Sequence, residues 1–180
     1  MRASAWDWTA GACGGELGTA LHLVSAWHSA AGLVLGQLRT TDKSNEIAAI
    51  PALLDALDVR GASVGIDAMG CQRVIAEQII DRGADCLLAL KNNQPVLAQA
   101  VEGLFEGDAA ERRLERHGSV DKGHGRLQTR QCVVVHDLGA LAEHSAPWRG
   151  LRRVGDRSSP RARRSAASIA ASAAPSGAAT

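Results

Sequence analysis

Aromatic side chains are scarce: the chain has no tyrosine and one phenylalanine, and aromatics make up 3% of its 180 residues. Its core must therefore be aliphatic, built from Leu, Val, Ile and Ala. Cysteine is also sparse. Cys13, Cys71, Cys86 and Cys132 show no CxxC spacing, and Cys71 and Cys86 lie in apolar surroundings where a reduced thiol behaves as a small hydrophobe. A reducing, cytoplasmic setting is the expectation. No uninterrupted apolar run is long enough to cross a bilayer, and no charged start leads into an apolar signal core, so membrane insertion and secretion are not expected. A strong net charge is missing too, the formal value being +1. That value hides an asymmetry, because Arg152, Arg153, Arg157, Arg161, Arg163 and Arg164 stand against only Asp156 after Leu151. The body is mildly acidic in compensation.

What is present is an apolar-rich centre from Ala62 to Lys91, ASVGIDAMGCQRVIAEQIIDRGADCLLALK. Val64 and Ile66 are β-branched and bounded by Gly61 and Gly70, which predicts a short buried strand. From Cys71 to Asp81 the residues Cys71, Val74, Ile75 and Ile79 recur at helical spacing, with Gly83 as the stop. Cys86 to Leu90 then reads as a second, parallel strand. The expected core contribution is Val64, Ile66, Ile75, Ile79, Leu87 and Leu88. Asp67 falls at the carboxyl end of the first strand, where open α/β sheets gather their chemistry.

On either side of this unit the pattern is α/β as well. Met1 to Gly18 has no clear period that assigns it to an element, and a non-native origin is one reading of it. Thr19 to Trp27 and Gly32 to Arg39 read as a β-hairpin. Ser44 is placed to cap a helix whose apolar face is Ile47, Ile50, Leu53, Leu54 and Leu57, with Pro51 as a kink or a first turn. Pro95 suits the first turn of a helix to Phe105 that buries Val96, Leu97, Ala100, Val101 and Leu104. Asp121 to Arg130, leading into Cys132 to Val135, predicts a further hairpin. From residue 152 to 180 the chain is Arg, Ala, Ser, Pro and Gly with almost no large apolar residue, which predicts a disordered basic tail.

Several of these segments carry a resemblance. HLVSAW at His22 to Trp27, LGQ at Leu35 to Gln37, KSNEI at Lys43 to Ile47, IDAMGCQ at Ile66 to Gln72, LALKNNQ at Leu88 to Gln94 and DKGHGRLQTR at Asp121 to Arg130 together resemble the ISAs group of bacterial insertion-sequence transposases. The resemblance covers about Ala20 to Leu151. It implies a DDE transposase with an RNase H-like fold: here a partial mixed sheet flanked by helices over residues 19–151, with a β-hairpin insertion. It also implies magnesium-dependent cleavage and strand transfer on DNA at the ends of an element. In that chemistry three acids from separate elements hold two metal ions roughly 3.5 to 4 Å apart.

By its place in IDAMG, Asp67 matches the family's second acid and is the candidate catalytic residue and metal ligand. The family's upstream DGK and downstream HWxIEN motifs are absent, so productive magnesium binding is not expected of this chain alone. The lost upstream piece would also leave a gap beside the strand bearing Asp67. Met1 to Gly18 is the segment available to fill it, and Asp7 is the acid it would bring, although no DGK follows. Lys91, His124 and Arg126 are the candidate DNA contacts: Lys91 follows a strand at the same sheet edge as Asp67, while His124 and Arg126 belong to the family's HGR. Asn92 stands where the family has Gly, and Gln128 where it has Glu.

Blander readings remain beside these. Asp67 can simply cap the helix after its strand. His22 and Trp27 fit packed core positions. His117, His124, Cys132 and His136 have no spacing that suits a closed zinc site. The arginine-rich tail reads as a frameshift product of GC-rich DNA in preference to a DNA-binding arm. The functional expectation is a truncated transposase domain, inactive by itself. One alternative is a non-catalytic DNA-binding or dimerising fragment that interferes with an intact transposase by occupying its sites; a homo-oligomer or an association with the intact transposase is the expected protein partnership. Another is an unrelated small α/β enzyme using Asp67, for which a closed metabolite pocket would speak.

Overall fold

In a computed structural model of the chain, the residues described are 5–13, 21–40, 46–91, 93–106, 114–123, 126–158 and 166–173. The centre folds as its pattern predicts. Strand β4 (Ser63–Ile66), helix α2 (Arg73–Asp81) and strand β5 (Asp85–Ala89) form a parallel β-α-β unit in which Ser63 pairs with Asp85 and Ile66 with Leu88. Gly61 and Gly83, with φ of 72° and 74°, make the turns that enter the two strands, a backbone region that costs glycine little.

The described strands build one nine-stranded sheet in the order β3-β2-β1-β4-β5-β9-β8-β7-β6. β2 (Leu21–His28) and β3 (Leu33–Thr40) are the expected hairpin. β1 (Ala5–Cys13) lies between β2, to which it is antiparallel, and β4, to which it is parallel. A meander β3-β2-β1 continued by parallel β4 and β5 is the RNase H-like arrangement. β6 (Leu114–Gly123) and β7 (Arg126–Val135) form the second hairpin, followed by β8 (Leu151–Ser158) and β9 (Ala166–Ala171), each antiparallel to its neighbours.

Helices α1 (Glu46–Ala56), α2 and α3 (Pro95–Glu106) and the short α4 (Ala142–Ser145) cover the sheet. Strand alternation decides what they bury. Val64, Ile66, Cys86 and Leu88 are at most 5% exposed and pack with Ile50, Leu54, Ile75, Ile79 and Val101 in one aliphatic cluster. The alternate residues Ser63, Gly65 and Ala89 are only partly covered, and Leu87 is 51% exposed. Along β4 and β5 the sheet is thus covered on one face and open on the other.

Several expectations are corrected here. Met1 to Gly18, left unassigned, supplies in residues 5–13 the strand that fills the anticipated gap. The tail from residue 152, expected to be disordered, contributes most of β8 and all of β9, and β9 inserts between β5 and β8. Its composition misleads because a short strand needs few inward side chains: Ala167, Ile169 and Ala171 are 7%, 2% and 7% exposed, and they alternate with half-buried Ser168 and Ala170. The sheet therefore does not end at Leu151. Leu87, expected in the core, is on the open face because the two-residue period that buries Cys86 and Leu88 turns it outward. Val74 and Val96, in the first turns of α2 and α3, are 70% and 65% exposed. Pro51 sits inside α1 and not at its start. Ser44 lies outside the described residues.

Candidate functional site

β4 ends at Ile66, and Asp67 is the first residue beyond it. Its backbone stays extended, with φ −69° and ψ 177°, and its Oδ1 accepts a hydrogen bond from the Met69 N–H at 3.2 Å. This caps a single 3-10 turn, Ala68–Gly70. The capping role and an exposed carboxylate at the strand's carboxyl end therefore coexist in one residue. β5 ends alongside and delivers Lys91, which is exposed.

Two residues that sequence reasoning passed over tie these loops together. Asn93 Nδ2 donates to the Ala68 carbonyl and, at 3.3 Å, to the Cys71 carbonyl, while its Oδ1 accepts from the Lys91 N–H at 3.2 Å. Gln94 Nε2 donates to the same Cys71 carbonyl at 3.1 Å. Their only local signal was the polar turn Asn92 to Gln94 between a strand and a helix.

Asp7 is placed by backbone register: it pairs with Gly65 of β4 on one side and Trp27 of β2 on the other, just short of the level of Asp67. Its side chain lies outside the described residues, as does His124. Arg126 opens β7 opposite Gly123, and its side chain likewise lies outside the description. Strand directions still locate this hairpin. From β5 the strands β9, β8, β7 and β6 are successively antiparallel, so β6 runs the same way as β4. The β6–β7 tip therefore points toward the sheet end that carries Asp67. The ladder with β8 runs only to Gln131 opposite Ser158, so the pairs from Ser119–Arg130 to Gly123–Arg126 extend past the described end of β8.

Magnesium is commonly bound through one or two carboxylates, with water and phosphate oxygens completing its shell. Asp67 fits one such contact. Among the described residues no group of three His, Cys, Asp or Glu side chains comes together to hold a metal. Of the residues considered for zinc, His136 Nε2 meets Glu115 Oε2 at 3.0 Å, His117 is opposite Cys132 across β6–β7, and His124 lies outside the described residues.

The thiols near the site are structural. Cys71 and Cys86 are 0% and 3% exposed, and burial pushes their pKa up to about 12 and about 11. Two surface clefts, of about 430 and 260 Å³, are lined by residues of α1 and α2 and by residues around Arg73, Gln94 and Trp148. Neither is lined by Asp67, so neither favours a metabolite enzyme built on that residue. Among the described residues no helix is long and apolar enough to cross a membrane.

The family model described as "Transposase DDE domain" matches residues 2–143. "Uncharacterized protein in dhlA 3'region" of Xanthobacter autotrophicus is 41% identical over 77% of this chain and 46% of its own length. From Escherichia coli strain K12, "H repeat-associated putative transposase YhhI" is 40% identical over 75% of this chain and 36% of its own length. "H repeat-associated putative transposase YbfD" of the same strain is 45% identical over 64% and 46% respectively. The chain spans less than half the length of these relatives. With the family model matching most of its length, on a sheet of RNase H-like order with Asp67 at the end of β4, the chain belongs to the DDE transposase family.

Proposed function

We propose that this chain is part of the catalytic domain of an insertion-sequence transposase of the ISAs type, acting on DNA at element ends and inactive by itself. The observation that carries the reading is the position of Asp67, an exposed carboxylate held at the carboxyl end of β4 beside the loop of β5. In this reading Asp67 is one ligand of a divalent ion, which when bound supplies Lewis-acid activation for phosphodiester cleavage. Asp7, on the neighbouring central strand, is where a second carboxylate would be sought. Lys91 contributes positive charge toward a DNA phosphate. The β6–β7 hairpin, bearing His124 and Arg126, reaches toward the same end of the sheet and serves as a DNA arm.

The inactivity in this reading rests on the acid set: Asp67 alone cannot hold two ions, and no DGK follows Asp7. The purified chain should neither nick nor join a terminal-inverted-repeat substrate in magnesium or manganese. Metal-dependent cleavage lost in both Asp67→Ala and Asp7→Ala would overturn the inactivity and make Asp7 the partner acid.

A second reading, a non-catalytic fragment that binds DNA or associates with an intact transposase, is favoured by exposed apolar surface. Leu87 is 51% exposed on the open sheet face, and Leu33, Val34 and Leu35 of β3, the edge among the described strands, are 59%, 48% and 39% exposed, the kind of edge that recruits another chain. Salt-sensitive DNA binding without cleavage, together with co-purification with a full-length relative, is its expected signature.

A further inference from the structure

The terminal charges of α2 run against the field of their own helix. The start of a helix carries partial positive charge and its end partial negative charge, so a cation is favoured at the end and disfavoured at the start. α2 has Arg73 in its first position and Asp81 in its last, with no acid in the first turn and no base in the last. The misplaced Asp81 is compensated, because Arg149 Nη1 meets its Oδ1 at 2.6 Å. Next to it Arg82 is held by Asp55 of α1, and Arg60 shares a cleft with Asp55, Asp58 and Asp81. This group lies at the amino ends of β4 and β5, away from Asp67. Arg73, at the carboxyl ends, has no such compensation. It is exposed, and among the described residues it makes no ion pair, although Glu143 lines the same cleft.

Folding therefore does not account for a cation at this place, and its surroundings indicate what does. Lys91, on the loop after β5, is a second exposed cation with no ion pair among the described residues. Gln94 Nε2 and Asn93 Nδ2 donate to the Cys71 carbonyl at 3.1 and 3.3 Å. That junction lies two residues before Arg73 and two residues after Lys91, so both cations leave from a braced pair of loops beside the turn that Asp67 caps. The fork of a guanidinium matches two oxygens of one phosphate.

We propose that Arg73 is a DNA-backbone contact, holding a phosphate next to the one assigned to Lys91 so that a single strand crosses the turn capped by Asp67. This rests on the reading of the chain as one that acts on DNA, and it requires no metal ion.

The test is fluorescence anisotropy of the full chain with a short labelled DNA duplex of arbitrary sequence, in EDTA, over a range of KCl concentrations. Each phosphate contact steepens the fall of log affinity with log salt by about 0.9. Arg73→Gln should make the slope shallower by about that amount and weaken binding several-fold at about 0.1 M salt, while Arg73→Lys, which keeps the charge, should keep the wild-type slope. Lys91→Gln should remove a like share, and the double variant the sum, as for two separate phosphates. Arg60→Gln, at the other end of the sheet, should leave the slope unchanged. Because Arg73 opposes the α2 dipole, Arg73→Gln should also melt no lower than the wild type. A folded Arg73→Gln with the wild-type slope overturns the role of Arg73 and leaves the DNA reading standing, since the wild type still binds. An equal loss in Arg60→Gln overturns it too, because the effect is then one of net charge. An Arg73→Gln that unfolds or melts well below the wild type gives Arg73 a structural duty and removes the ground for the proposal. A wild-type chain that does not bind the duplex sinks this inference and the DNA reading together.

Discussion

Leu88 and Ile169 stand opposite each other across the antiparallel β5–β9 pair, 0% and 2% exposed. The pairing makes a segment of unpromising composition part of the core. Ile169→Ala should destabilise the chain by about 2–4 kcal/mol, the usual loss for a buried aliphatic truncation. Urea denaturation measures it, and a change below about 0.5 kcal/mol would mean that β9 is not packed there in solution.

Gly70 closes the 3-10 turn after Asp67, and a Cβ there would lie 2.8 Å from Ile50 Cδ1 and closer still to Ile66 Cγ2. Both neighbours are buried, 4% and 5% exposed, so neither can swing away freely. Gly70→Ala should cost about 1–3 kcal/mol by overpacking and displace the turn. A melting curve matching that of the wild type would contradict this.

Asp67→Ala, by contrast, should be mild for folding. The residue is exposed, and it loses one capping bond, at 3.2 Å to the Met69 N–H. The expected cost is about 1 kcal/mol or less. That makes the variant usable in the cleavage assay, and circular dichroism melts of the two proteins check it directly.

Alkaline pH should weaken the fold through its buried thiols. Burial raises Cys71 and Cys86 from 9.0 to about 12 and about 11, so the folded state holds protons that the unfolded state has released. Their contribution is fully present below pH 9 and is lost as pH rises through the folded values. At pH 10 each thiol should cost roughly 1 kcal/mol relative to pH 8. Because the chain has no tyrosine, thiolate absorbance can follow the ionisation without a tyrosinate background. Stability that stays level from pH 8 to pH 10.5 would refute the assignment.

The unit around Asp67 was legible because its signals are local: β-branched residues, a helical period, and glycines where the chain turns. Leu87 was misplaced for a related reason. In the unbroken run Cys86–Leu90 every residue is apolar, so the sequence does not say which alternate set faces inward. β1 and β9 were illegible because each has one flanking partner far along the chain, β4 for one and β5 for the other. Asn93 escaped notice in the same way, its acceptors Ala68 and Cys71 being 25 and 22 residues distant.

The place of β9 also bears on how the chain is made. It is the last described strand to leave the ribosome, yet it lies in the middle of the sheet, between β5 and β8. Until it emerges, the nascent chain has two half-sheets, β3-β2-β1-β4-β5 and β8-β7-β6, with no strand between them and Leu88 lacking its cross-strand partner. At about 5–20 residues per second that interval is short, but a stalled or clipped product would keep both bare edges. Such a product is the form expected to need a chaperone, and β9 acts as the keystone that ends the need.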